Sequence, residues 1–207
     1  MKYALVFLLS LLMLGCGGRP DAYAGIPLDH TWDIRFSHDM PDHPVVAPDG
    51  IWYFTFPTVV NSSVNYITKD TTPVTSNETV TMVFRVDYDP TTVFNFDPSE
   101  CATPASVYLM LQRRDDDMQS DDYRWWSVHT PLQQGSGNVI TVSVPLQPAY
   151  WTNLYGQPGS TRTDGFNAAL ANLAHIGMTF GGGCSAGHGI NVSGGKAKFT
   201  LISYEVR

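Results

Sequence analysis

The chain carries little charge for its length. Of its 207 residues, 15% are Asp, Glu, Lys or Arg, against about 25% in an ordinary globular domain. Glutamate (three residues) and lysine (four) are scarcest. Both are surface helix formers, so their shortage excludes a helical bundle or a coiled coil. The net charge is −7, so the basic surface that nucleic acid requires is missing, and no nucleic-acid partner is expected. Cysteine is limited to three residues, and none forms a C-x-x-C, which excludes zinc-ribbon and thioredoxin-like motifs. The longest apolar run, Ala4 to Leu14, is interrupted only by Ser10 and spans eleven residues; about 20 are needed to cross a bilayer.

What is present points to β-structure. Aromatics reach 12%, and Asp supplies 16 of the 19 acidic residues, a residue suited to turns and caps. Short β-type runs recur with turn signals between them: Ile51–Phe56, Val64–Thr68, Thr79–Asp87, Val107–Arg114, Asp122–Val128, Val139–Val144, Ile176–Phe180, Ile190–Val192 and Ala197–Val206. The breaks contain Asn-Ser-Ser, Asp-Pro, Gly-Ser-Gly-Asn, Gly-Gly-Gly and Ser-Gly-Gly. Only Gly165 to Ala174 has helical spacing, through Phe166, Leu170, Leu173 and Ala174. The expected fold is all-β: a two-sheet antiparallel β-sandwich (jelly-roll) over 51–207 with one short helix. Residues 25–50, with prolines and three of the six histidines, read as an irregular lead-in along the domain edge, and 16–24 as a tether.

Residues 1–15 read as an export signal: Met1-Lys2, the apolar run, then Met13-Leu14-Gly15-Cys16. This ending resembles the bacterial lipobox, with Met13 where Leu is usual. The resemblance implies cleavage before Cys16 and a lipid on its thiol, which anchors the chain to a membrane. Gly17 follows, where Asp would resemble an inner-membrane retention signal, so the outer membrane is the expected destination in a two-membrane cell. Losing Lys2 takes the net charge to −8, which opposes adsorption to anionic headgroups and leaves the lipid as the attachment. Cys101 and Cys184 then remain for one disulfide in an oxidising compartment. Closing that loop is worth ~4 kcal/mol in the chain-entropy model. Two free buried thiols are the alternative.

Strand alternation assigns faces. Val107, Leu109 and Leu111 point inward, as do Met82, Phe84 and Val86. With Trp126 and Val128 also placed inward, the outward set is Arg85, Asp87, Tyr108, Gln112, Arg114 and Trp125. If their strands are neighbours, these six share one face. Flat aromatics among planar hydrogen-bonding groups suit a sugar, whose C–H faces stack and whose hydroxyls bond. The competing reading is a solvated face whose aromatics serve cross-strand packing. Burial of Trp125 and Tyr108 would remove the platform.

The C-terminal third, Ile176-Gly177-x-x-Phe180, a Gly-rich loop, Gly189-Ile190-x-Val192, Gly195-x-Ala197-x-Phe199-x-Leu201 and Tyr204-x-Val206, resembles the closing strands of galactose-binding-like jelly-rolls, the fold of many carbohydrate-binding modules. The resemblance is architectural, covers about 50–207 and implies no catalytic residue.

Other motifs carry less. Gly183-Cys184-Ser185-Ala186-Gly187 matches G-x-S-x-G, but no helix is expected after it, no Asp lies after Ser185 and no His after His188, so the context argues against an α/β-hydrolase elbow and leaves only a triad with upstream partners in another order. Asp115, Asp117, Gln119 and Asp121 occupy positions 1, 3, 5 and 7 of an EF-hand spacing, yet Ser120 replaces the turn Gly and Trp126 the final Glu. What remains is a simpler Ca²⁺ loop or a solvated hairpin tip, the latter favoured because charge runs are usually solvated. The expected function is non-enzymatic: a lipid-anchored envelope protein binding a carbohydrate or similar polar ligand, with a structural or protein-interaction lipoprotein as the alternative.

Overall fold

A computed structural model describes residues 25–96, 104–183 and 186–207. They form an all-β sandwich of two large antiparallel sheets with one helix. In chain order the strands are β1 (Trp32–Arg35), β2 (Val45–Val46), β3 (Trp52–Thr55), β4 (Tyr66–Asp70), β5 (Thr79–Tyr88), β6 (Val93–Asn95) and β7 (Ser106–Arg113). They continue with β8 (Arg124–Ser127), β9 (Thr130–Pro131), β10 (Val139–Pro145), β11 (Trp151–Asn153), β12 (Leu173–Gly181), β13 (Asn191–Ser193) and β14 (Ala197–Val206). The helix, α1, is Thr163–Ala171.

One sheet has the order β1-β4-β12-β7-β8-β11, with β9 beside β7; the other has the order β10-β5-β14-β3-β2. A two-stranded ribbon pairs β13 with β6. The sheets pack face to face over an aromatic core. Phe199 stacks on Phe54 and Phe84 at 5.4 and 5.0 Å, and Phe180 meets it edge-on. The alternating pattern of β5 produces this: Val80, Met82, Phe84 and Val86 are buried, while Thr81, Val83 and Arg85 are not.

The expected lead-in is not merely irregular. It contains β1 and β2, and Trp32 is fully buried between Trp52 and Tyr204 at 5.5 and 5.3 Å. Its prolines and histidines disguised a strand whose Trp32 and Ile34 alternate inward. The helix is shorter than its spacing suggested, because Leu173 belongs to β12. Phe166, Ala169 and Leu170 are its buried side, and Phe166 packs edge-on against Trp125 at 5.2 Å.

Candidate functional site

Where a strand sits in the sandwich decides which residues meet. The expected six-residue face does not form. Arg85 and Asp87 lie on β5, in the five-stranded sheet, whereas Tyr108, Gln112, Arg114 and Trp125 lie on or beside β7 and β8 in the other sheet. The two groups are on opposite sides of the protein. There Arg85 Nε meets Asp87 at 3.2 Å, and Lys198 Nζ approaches Asp87 at 3.7 Å. Trp125 is a second correction. It is fully buried in the main core, its Nε1 donating to the Asp122 carbonyl at 2.9 Å. Trp126 takes the outer face instead. All four residues of β8 are buried, so alternation there carries no polarity signal to read. Tyr108 does point outward, but it is buried too.

The outer face of the seven-stranded sheet therefore holds a second apolar layer. Tyr66 (β4), Tyr108 and Met110 (β7) and Trp126 (β8) form a buried cluster separate from the main core, with Leu154 and Ala186 packed against it. After β12, Ala186 and Gly187 lie over this layer. Gly187 has φ +84°, and a Cβ there would sit 2.0 Å from the Tyr66 hydroxyl. Only glycine allows that approach. Tyr108 donates its hydroxyl proton to the Gly182 carbonyl.

Above this floor runs a trough of three adjoining hollows. The first, about 710 Å³, is lined by Trp126, Val128, His129, Tyr150, Tyr155 and His188 among others. Tyr155 is 65% exposed, and Tyr150 and Val128 are also exposed. The second, about 330 Å³, includes Phe36, Asn65, Met118 and Arg124, and shares Trp126, Leu154, Ala186 and His188 with the first. The third, about 400 Å³, shares Phe36 and Met118 with the second and is polar: Arg35, Asp70, Gln112, Arg114, Asp115 and His175 line it. Phe36 and Met118 both have left-handed backbone, φ +54° and +65°, which is costly for such side chains. Both are exposed, Phe36 at 55%. Phe36 stands edge-on to Tyr66 at 5.7 Å.

A buried ion pair holds the middle of the trough. Arg124 Nε lies 2.9 Å from Asp116 Oδ2, with the two side chains 4% and 2% exposed. The contact is ionic rather than a hydrogen bond, because Nε itself has no hydrogen-bond partner. Gln112 Nε2 donates to the same carboxylate at 2.8 Å. Arg124 also donates to the Met118 carbonyl at 2.8 Å and to the Tyr66 hydroxyl at 3.4 Å. Burial raises the Tyr66 phenol pKa, and the nearby Arg124 charge only partly opposes this. Trp126 Nε1 is buried without a hydrogen-bond partner in the structure. At the polar end His175 Nδ1 meets Asp70 Oδ1 at 2.8 Å, and its Nε2 lies 3.4 Å from Arg35. Burial lowers the His175 pKa, and the Arg35 charge adds to the effect.

Of the six expected ligand residues, then, Gln112 and Arg114 line the polar hollow and Tyr108 floors the aromatic one. Trp125, Arg85 and Asp87 are elsewhere. Phe36, Tyr150 and Tyr155, which line the hollows, are not among the six. Tyr155 precedes a turn glycine, Gly156 at φ +70°, and an aromatic at a turn tip was the available clue. The calcium candidates do not converge either. Asp117 caps its own turn, accepting from the Gln119 and Ser120 amides at 2.9 and 2.7 Å, and the Gln119 amide leads in lowering its pKa. Asp121 pairs with Arg162 at 3.5 Å, while Asp115 lines the polar hollow. Among the described residues no three His, Cys, Asp or Glu are grouped to hold a metal ion. Cys16, Cys101 and Cys184 lie outside the described residues.

No family model matches the chain, and neither a curated protein nor a solved structure does.

Proposed function

We propose that the protein is a lipid-anchored cell-envelope protein that binds an extended carbohydrate chain along this trough. The observation that carries the reading is the continuity of the three hollows, with exposed aromatics at one end and hydrogen-bonding side chains at the other. Tyr150, Tyr155 and Phe36 offer flat faces for C–H stacking. Gln112, Arg114, Asn65 and His188 offer polar groups to hydroxyls. The anchor is the lipid on Cys16, after loss of residues 1–15. The Cys101–Cys184 disulfide belongs to the same reading. What supports it is the register pairing of Ser106 with Gly181, which lie five and three residues from the two cysteines in the sequence.

The test is a glycan array probed with the full-length chain, followed by Tyr155→Ala. Binding to a neutral or acidic oligosaccharide is expected, weakened about tenfold by the substitution, or about 1.4 kcal/mol. Absence of binding to every glycan class overturns the reading. The alternative is a structural or protein-interaction lipoprotein. It is favoured by one observation, the burial of Trp125 and Tyr108, and a stoichiometric envelope protein retrieved by crosslinking in place of a glycan would establish it.

A further inference from the structure

A second surface, unrelated to the trough, lies at the edge of the five-stranded sheet. That sheet ends on β10, whose far side pairs with no strand among the described residues. An open edge is a template for another strand, and proteins usually guard it. The other terminal strands of the two large sheets are guarded. β1 carries Asp33 and Arg35, and its Ile34 amide is taken by the Asp42 carbonyl at 2.7 Å. β11 has three residues and runs into a tight turn in which the Asn153 amide bonds the Gln157 carbonyl at 3.0 Å. β2 has two residues. By contrast β10 has seven, Val-Ile-Thr-Val-Ser-Val-Pro, with no charge and no register shift against β5.

Two further observations show what the edge lacks. Ile140, Val142 and Val144 face the core but are only partly buried, whereas Val80, Met82, Phe84 and Val86 beside them on β5 are fully so. The apolar row stops one strand short of cover. The hydrogen-bond phase is also set. The Leu146 amide donates to the Glu78 carbonyl at 2.8 Å, so in the same register Ile140, Val142 and Val144 exchange bonds with β5. Val139, Thr141 and Ser143 then point their N–H and C=O groups to the open side.

We propose that β10 pairs antiparallel with β10 of a second copy about a two-fold axis at Thr141, joining the two five-stranded sheets into one. An uncharged strand suits its own copy, because a two-fold axis brings like side chains together and like charges would repel. Centring on Thr141 sets Val139 opposite Ser143 of the second copy and Thr141 opposite Thr141. Each of these pairs exchanges two backbone hydrogen bonds. Centring on Ser143 would set Thr141 against Pro145, which has no N–H to give. In the chosen register Ile140 also meets Val142 of the second copy, which extends the apolar row of both.

The test is sedimentation of the full-length chain, purified intact in detergent, across about 1 to 100 μM, the range in which modest interfaces assemble. A dimer is expected. Thr141→Lys sets two ammonium groups against each other at the axis and weakens the dimer by about a hundredfold or more, with the near-ultraviolet circular dichroism unchanged. Thr141→Cys crosslinks to itself under mild oxidation above the background of the native cysteines, because residues opposed in a hydrogen-bonded pair have Cα atoms about 5.5 Å apart, within the span of a disulfide. Ser143→Cys does not, since its opposite number is Val139. A monomer at every concentration overturns the proposal, including one whose own N-terminal segment fills the edge. So does a dimer indifferent to Thr141→Lys, or equal crosslinking at 141 and 143. Should Thr141→Lys fail to fold, the two cysteine variants decide.

Discussion

The two outer faces of the sandwich are built from strands of the same alternating kind, yet they differ. On the five-stranded sheet the outward residues meet solvent. Arg85, Asp87 and Lys198 form ion pairs that are more than a third exposed, Thr81 shares a hydrogen bond with Ser143 at 2.9 Å, and Lys198 lies 5.5 Å from the Tyr53 ring. On the seven-stranded sheet the outward residues Tyr66, Tyr108, Met110 and Trp126 are buried under loops. An outward position is therefore polar only where nothing is folded over it. The loops that cover the second face, 114–123, 154–158 and the described residues 186–189, also shape the trough, so cover and site have one origin.

The largest expected contrast is between the two sets of ion pairs. Asp116→Ala strands the Arg124 charge in a dry site and should cost about 3–5 kcal/mol in urea unfolding. Arg85→Ala on the other face should cost no more than about 1 kcal/mol. Equal losses would show that the seven-stranded face is as wet as its counterpart. Next comes Gly187→Ala, which forces a Cβ onto the Tyr66 hydroxyl in a left-handed backbone; a loss of about 1–3 kcal/mol is expected, together with weaker ligand binding as the loop lifts.

A smaller effect concerns pH. The folded pKa of His175 is lowered, first by burial and then by Arg35, so the unfolded chain binds the proton more readily. Its contribution to stability is complete above the unfolded value of about 6.5 and declines as pH falls below it. Denaturation midpoints between about pH 7.5 and 5 should fall with pH, and His175→Gln should flatten the slope. An unchanged slope would place this histidine in open solvent. The smallest effect on stability is that of Tyr155→Ala, within about 0.5 kcal/mol because the ring is exposed. That near-neutrality separates a binding role from a packing role.

Much of the fold was legible because alternation is a local property. The inward rows of β5 and β7 follow directly from Met82-x-Phe84-x-Val86 and Val107-x-Leu109-x-Leu111, and β14 spans the residues expected of it. The site was less legible. Arg85 and Tyr108 are both outward on long strands, and nothing in either stretch says that β5 joins β10 and β14 while β7 joins β12 and β8. Trp125 and Trp126 are adjacent and alike, and β8 is covered on both faces.

By itself, then, the sequence determined that the chain is all-β, where most long strands run and which side of β5 and β7 faces the core, since these depend on neighbours two residues apart. Only the tertiary structure decided which strands share a sheet, which outward faces are roofed by loops and which edge stays open. Those outcomes depend on contacts between residues far apart in the chain, such as Tyr66 with Gly187 and Asp116 with Arg124. The low charge content reads differently in that light. The residues are few, but one pair lies buried beneath the trough, and the uncharged edge strand is where a second copy of the chain is proposed to join.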